Sequence, residues 1–121
     1  MSEDDVIDFI RAHIGSVYTL ELLLLIKRRP GKTWQENELV RELRSSGTAV
    51  SEALNRLNLA GLVSENLPGH YAFAPISPKH EQLAAEIEKA YTNMPLSVVK
   101  AIVAQPEEKL RLFSDAFKLA D

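Results

Sequence analysis

A chain of 121 residues with no cysteine and a formal charge of −3 is long enough for one globular domain with terminal extensions, and it excludes disulfides, thiolate catalysis and Cys-based zinc sites. Hydrophobic residues make up 45% and charged residues 26%, the balance of an ordinary globular domain whose size is only marginally self-sufficient. The longest apolar run, 22–26, falls far short of the roughly 18 residues of a membrane-spanning helix. The acidic start Met1-Ser2-Glu3-Asp4-Asp5 is also unlike a secretory leader, so the expectation is a cytoplasmic protein without membrane contact.

Apolar residues at Val6, Ile7, Phe9, Ile10 and Ile14 predict a first helix over 6–13. Gly15-Ser16 breaks it, and Ser16 is placed to cap a second helix over 17–29. This second helix carries Val17, Tyr18, Leu20 and the run 22–26. Being apolar nearly all round, it must be buried on more than one side, between the central domain and a layer made by the terminal helices or a second subunit. Lys27-Arg28-Arg29 sets cations at its C-terminus, and Pro30-Gly31 ends it.

Thr33-Trp34-Gln35-Glu36 has the spacing of a capping box. It opens a third helix, 33–44, with Leu39, Val40 and Leu43 on one face. Ser45-Ser46-Gly47 makes a turn, and Ser46 is the expected cap of a fourth helix, 48–60. There Val50, Ala53, Leu54 and Leu57 recur at offsets of three and four, and Gly61 supplies the left-handed stop. A strand over 62–66 follows. Pro68-Gly69 suits the centre of a type II turn, and 71–74 returns as the partner strand.

Ser77-Pro78 caps and starts another helix, in which Leu83, Ile87, Ala90 and Met94 form a short seam. Pro95 begins a further turn with Leu96, Val98, Val99, Ile102 and Val103. Gln105-Pro106-Glu107-Glu108 starts a last helix with acidic residues in its first turn, as the macrodipole favours. Its stripe is Leu110, Phe113, Ala116, Phe117 and Ala120.

The capped helix 33–44, the turn Ser45-Ser46-Gly47, the helix 48–60 and the Leu57…Gly61-Leu62-Val63 exit into a Pro-Gly hairpin together resemble the DNA-binding core of MarR-type and related bacterial winged helix-turn-helix regulators. The resemblance covers roughly 17–75. It implies a mainly α fold with a small β-hairpin, in which 1–76 holds an N-terminal helix plus the winged core and 77–121 is a helical extension for dimerisation or packing. It also implies a transcriptional regulator that reads the major groove of double-stranded DNA with helix 48–60, as a homodimer whose two-fold sets the half-site spacing.

Turning about 100° per residue from Val50, the outward face of that helix holds Thr48, Glu52, Asn55, Arg56 and Leu59. Thr48, Asn55 and Arg56 are candidates for base or phosphate contact, since Arg offers guanine and Asn offers adenine a two-point hydrogen-bond pattern. Arg41 and Arg44, with Ser45 and Ser46, sit at the turn and either hold phosphates or pair with Glu38 and Glu42. The cluster Lys27-Arg28-Arg29-Pro30-Gly31-Lys32 either braces the DNA backbone or closes a helix. Positions 27–62 hold seven basic against four acidic residues, a net +3, which leaves −6 for the rest.

Other features point away from DNA. Glu52 repels phosphates, Leu59 suits a protein surface, and the hairpin offers only His70, with Glu65 beside it, where a basic tip would add phosphate contacts. The alternative reading is therefore a protein-interaction module that docks a regulatory partner. His13, His70 and His80 lack metal-ligand spacing, and no nucleophile triad, phosphate loop or cofactor motif is present, so neither an enzyme, a metal site nor a cofactor is expected.

Overall fold

The computed structural model describes residues 2–104. Helix α1 (Glu3–Phe9) starts at a capping box: the Asp5 N–H donates to the Ser2 hydroxyl at 3.2 Å, and the Ser2 N–H donates to the Asp5 carboxylate at 3.4 Å. It begins earlier than the apolar spacing suggests, because the cap and three acidic residues stabilise a first turn that buries little. The helix then widens into a π-helical stretch, Ile10–Ile14, and closes at Gly15 with φ 79°.

The chain turns through 104° into α2 (Val17–Lys27), where the Ser16 hydroxyl accepts from the Thr19 N–H at 3.0 Å. In α2, Leu20, Leu22, Leu23, Leu24 and Ile26 are at most 1% exposed. Each contributes roughly 1.5–3 kcal/mol by leaving water. The covering layers come from the chain itself. α2 packs on the π-helical stretch, on helix α4 (Gly47–Leu59) and on strand β3 (His70–Phe73). Helix α5 (Pro78–Asn93) is tied to it by Lys27–Glu88 at 2.8 Å and by the Tyr91 hydroxyl donating to Glu21 at 2.7 Å.

The capping box expected at Thr33 does not form. Trp34 and Gln35 are instead strand β1 (Trp34–Gln35), paired antiparallel with β3 through Trp34↔Tyr71 and Gln35↔His70. Extended backbone at these residues cannot also be helical, and the pairing buries Trp34 to 1% exposure. Helix α3 (Glu36–Leu43) therefore has its cap at Gln35, two residues after the expected one, with the Gln35 N–H donating to Glu38 Oε1 at 3.0 Å.

Strand β2 (Val63–Leu67) completes a three-stranded antiparallel sheet in the order β1-β3-β2. Its register runs Val63↔Phe73, Ser64↔Ala72 and Glu65↔Tyr71, then shifts at a bulge to Leu67↔His70. The turn between them places Gly69 at φ 79°, as a type II turn requires. Between α4 and β2, Gly61 has φ 80°, and a Cβ there would lie 2.8 Å from Ile76 Cδ1.

α5 starts at Ser77, whose hydroxyl accepts from the His80 N–H at 3.2 Å, and α6 (Pro95–Ala104) follows it. Val6, Leu22, Trp34, Leu54, Ile87 and Val98 belong to one hydrophobic core, so residues from both 1–76 and 77–121 build it. Among the described residues no helix is long and apolar enough to cross a membrane. The helix expected from Pro106 lies outside the described residues.

Candidate nucleic-acid interface

The corner between α3 and α4 is built by backbone geometry. Arg44 ends α3 in the left-handed region, φ 50°, and the Ser45 N–H donates back to the Val40 carbonyl at 3.0 Å. A left-handed non-glycine residue costs about 1–2 kcal/mol, which the closed helix end and the next cap offset. Ser46 then caps α4 by accepting from the Ala49 N–H at 3.1 Å. The result is a tight turn that exposes Arg41, Arg44, Ser46 and Thr48 and half-buries Ser45. Among the described residues neither Arg41 nor Arg44 is in an ion pair. Pairing with Glu42 or Glu38 does not occur. Glu38 is held below its usual range by the Gln35 N–H first and by Lys32 next, with Arg41 acting only at a distance.

The other central cations are engaged by the fold. Lys27 and Arg28 share Glu88 at 2.8 and 3.6 Å, and Lys32 bonds Glu38 at 3.1 Å. Lys32 and Arg29 lie over the Trp34 ring at 4.6 and 6.0 Å. The Lys27–Lys32 cluster thus sits at the end of α2 and contacts Glu88, Glu38 and Trp34, with Arg28 and Arg29 still exposed.

On α4 the outward residues Thr48, Glu52, Asn55 and Leu59 are exposed, joined by Ser51 and Asn58. Arg56, also exposed, points elsewhere. Its Nε and Nη2 each donate at 3.5 Å, to the carbonyls of His13 and Ala12. The guanidinium lies so close over Gly15 that a Cβ there would sit 2.6 Å from Nη2. It serves the orphan carbonyls at the end of the π-helical stretch. Arg56 is therefore not brought together with Thr48 and Asn55. Its spacing from Val50 gave only its angle on α4, and the neighbour that captures it lies 43 residues away in sequence.

Ser51 and Asn58 went unnoticed because they flank the outward face; what gives them a role is the hairpin opposite. They border an open groove of about 300 Å³ with Glu52, Asn55, Glu65 and Tyr71. The groove is acidic. The Tyr71 hydroxyl donates to Glu36 at 3.5 Å. Burial first, and then the charges of Glu65 and Glu36, push its pKa above the usual tyrosine range. Glu65 also accepts from the Gly69 N–H at 2.7 Å, so one carboxylate braces the hairpin turn and at the same time lends the groove its charge.

No family model, curated protein or solved structure matches this chain. The assignment of a role rests on the geometry above. Among the described residues no group of His, Asp or Glu is arranged to hold a metal ion. The surface therefore offers two chemistries: a cationic corner at the start of α4 and an acidic, partly apolar flank toward the hairpin.

Proposed function

We propose that this is a winged helix-turn-helix protein that regulates transcription by setting the N-terminal end of α4 into the major groove of duplex DNA, two copies to a site. The observation that carries the reading is the α3–α4 corner. Two exposed cations without carboxylate partners among the described residues flank an exposed helix N-terminus, where the dipole and the backbone N–H groups favour phosphate oxygens. In this reading Arg41 and Arg44 hold phosphates, with Ser45 and Ser46 beside them, and Thr48 and Asn55 face base edges. Arg56 stays with the π-helical end. The β2–β3 hairpin, which has no Lys or Arg, contributes shape rather than charge.

A second reading, a module that docks a regulatory protein, is favoured by Leu59 on α4 at 82% and Leu67 on β2 at 63% exposure, and by the acidic groove. Fluorescence anisotropy of the purified protein on random-sequence duplex at low salt separates the two. Saturable binding that Arg41→Ala with Arg44→Ala abolishes supports the first reading. No binding at low salt overturns it and leaves the docking module.

A further inference from the structure

Glu52 is the outward residue of α4 that major-groove binding leaves without a task. It is exposed, four residues after Thr48 and three before Asn55. Those offsets keep the three side chains on one stripe of the helix. At about 1.5 Å of rise per residue, Glu52 stands about 6 Å from Thr48 and about 4.5 Å from Asn55 along the axis. At about 3.4 Å per base pair, each of these steps is under two pairs. If Thr48 and Asn55 face base edges, the Glu52 carboxylate faces a base edge between theirs.

The surroundings of Glu52 add no positive charge. Ser51, Asn55 and Asn58 border the same groove with neutral hydroxyl and amide groups, and the opposite wall brings Tyr71 and a second carboxylate, Glu65. None of the residues lining this groove is a cation.

Base chemistry decides what such a carboxylate tolerates. An ionised Glu accepts hydrogen bonds and donates none. In the major groove guanine shows the acceptors N7 and O6, and thymine shows the acceptor O4 beside a methyl group. Both set lone pairs against the carboxylate. Adenine shows its N6 amine next to the acceptor N7, whereas cytosine shows the N4 amine with no acceptor on its own edge. Facing any base without a free donor, the carboxylate gives up water and gains no hydrogen bond in return.

We propose that Glu52 is a specificity residue of α4, which accepts from the N4 amine of a cytosine and rejects the other three bases at that position. This role rests on the duplex-binding reading of α4 and adds to it the base that one position of the half-site holds. It also gives the repulsion a use. A carboxylate that weakens contact with every other sequence raises the ratio of specific to non-specific binding, and it is that ratio, more than affinity alone, that selects a site.

The test is selection of bound duplexes from a randomised pool at low salt, with the wild type and with Glu52→Ala, followed by anisotropy on the selected duplex. The wild type should enrich a fixed cytosine, and changing that C·G pair to T·A should weaken binding at least about 5-fold. For Glu52→Ala the same change should matter by less than about 2-fold. N4-methylcytosine at this position puts a methyl group where the free amine hydrogen stood. It should weaken the wild type by a similar factor and leave Glu52→Ala unaffected, a difference that a merely structural role of Glu52 does not produce. Glu52 is exposed, so the variant should melt with the wild type.

A selected site without a fixed cytosine overturns the proposal and leaves the duplex reading standing. So does a cytosine preference that survives in Glu52→Ala. If the wild type retains no duplex even at low salt, the duplex reading itself falls, and the role of Glu52 falls with it.

Discussion

The cation census makes the salt dependence of DNA binding the sharpest quantity to measure. Of seven basic residues between positions 27 and 62, Lys27 and Arg28 are held by Glu88, Lys32 by Glu38, Arg29 lies over Trp34, and Arg56 lies on the carbonyls of Ala12 and His13. Two remain for phosphates, Arg41 and Arg44. Each neutralised phosphate contributes about −0.9 to the slope of log affinity against log salt. One copy should thus show a slope of about −1.8 and two copies about −3.6, which is a loss of roughly 12-fold or 150-fold between about 50 and 200 mM salt. Anisotropy of a labelled duplex at four salt concentrations reads the slope, and the stoichiometry of the saturated complex tells one copy from two. Arg41→Ala with Arg44→Ala should abolish binding already at the lowest salt, which leaves no slope to read. A slope of about −6 or steeper, or binding that the double variant leaves unchanged, would refute the reasoning, because phosphates would then be held by cations other than Arg41 and Arg44.

Three further expectations concern the frame that holds this corner. Gly61→Ala combines a left-handed backbone cost of about 1–2 kcal/mol with a Cβ that meets Ile76 and His80 at 2.8 and 3.0 Å. Ile76 is 73% exposed and can swing away, but His80 is tied to Ser77 at 2.7 Å, so the melting temperature should drop by several degrees; an unchanged melt contradicts the packing. Ser46→Ala removes the α4 cap and should lower the stability from urea unfolding by about 1 kcal/mol, with a change under a few tenths counting against the cap. The Lys27 ammonium, as the main cause, holds the Glu88 carboxyl below its usual range. Its stabilisation is therefore complete above the ordinary glutamate value, about 4.3, and fades as pH falls through the lower folded value. The stability gap between wild type and Glu88→Gln, under about 1 kcal/mol at neutral pH for a partly exposed pair, should narrow as pH falls below the ordinary glutamate value; a gap that widens in acid would show that Lys27 does not stabilise the ionised form.

Local chemistry made much of this fold legible. Ser16, Ser46 and Ser77 cap the helices expected of them, and Gly61 and Gly69 take positive φ where a helix stop and a turn demand it. The all-round apolar character of α2 announced its central place. What escaped was decided by distant partners. β1 is two residues long, and its signal is not in Trp34-Gln35 but in Tyr71 and His70 across the sheet. The π-helical widening at Ile10–Ile14 leaves no mark on hydrophobic spacing. At the candidate site, the exposed corner Arg41, Arg44, Ser46 and Thr48 was readable from the turn, while the destination of Arg56 and the acidity of the groove required the third dimension.

The short strand β1 has a mechanical consequence. Gln35 is at once the last residue of β1 and the residue that caps α3, while β1 is bonded to β3 of the hairpin. The hairpin and the start of α3 thus share Gln35 as their junction, so moving the hairpin away from α3 must break either its pairing with β1 or the α3 cap.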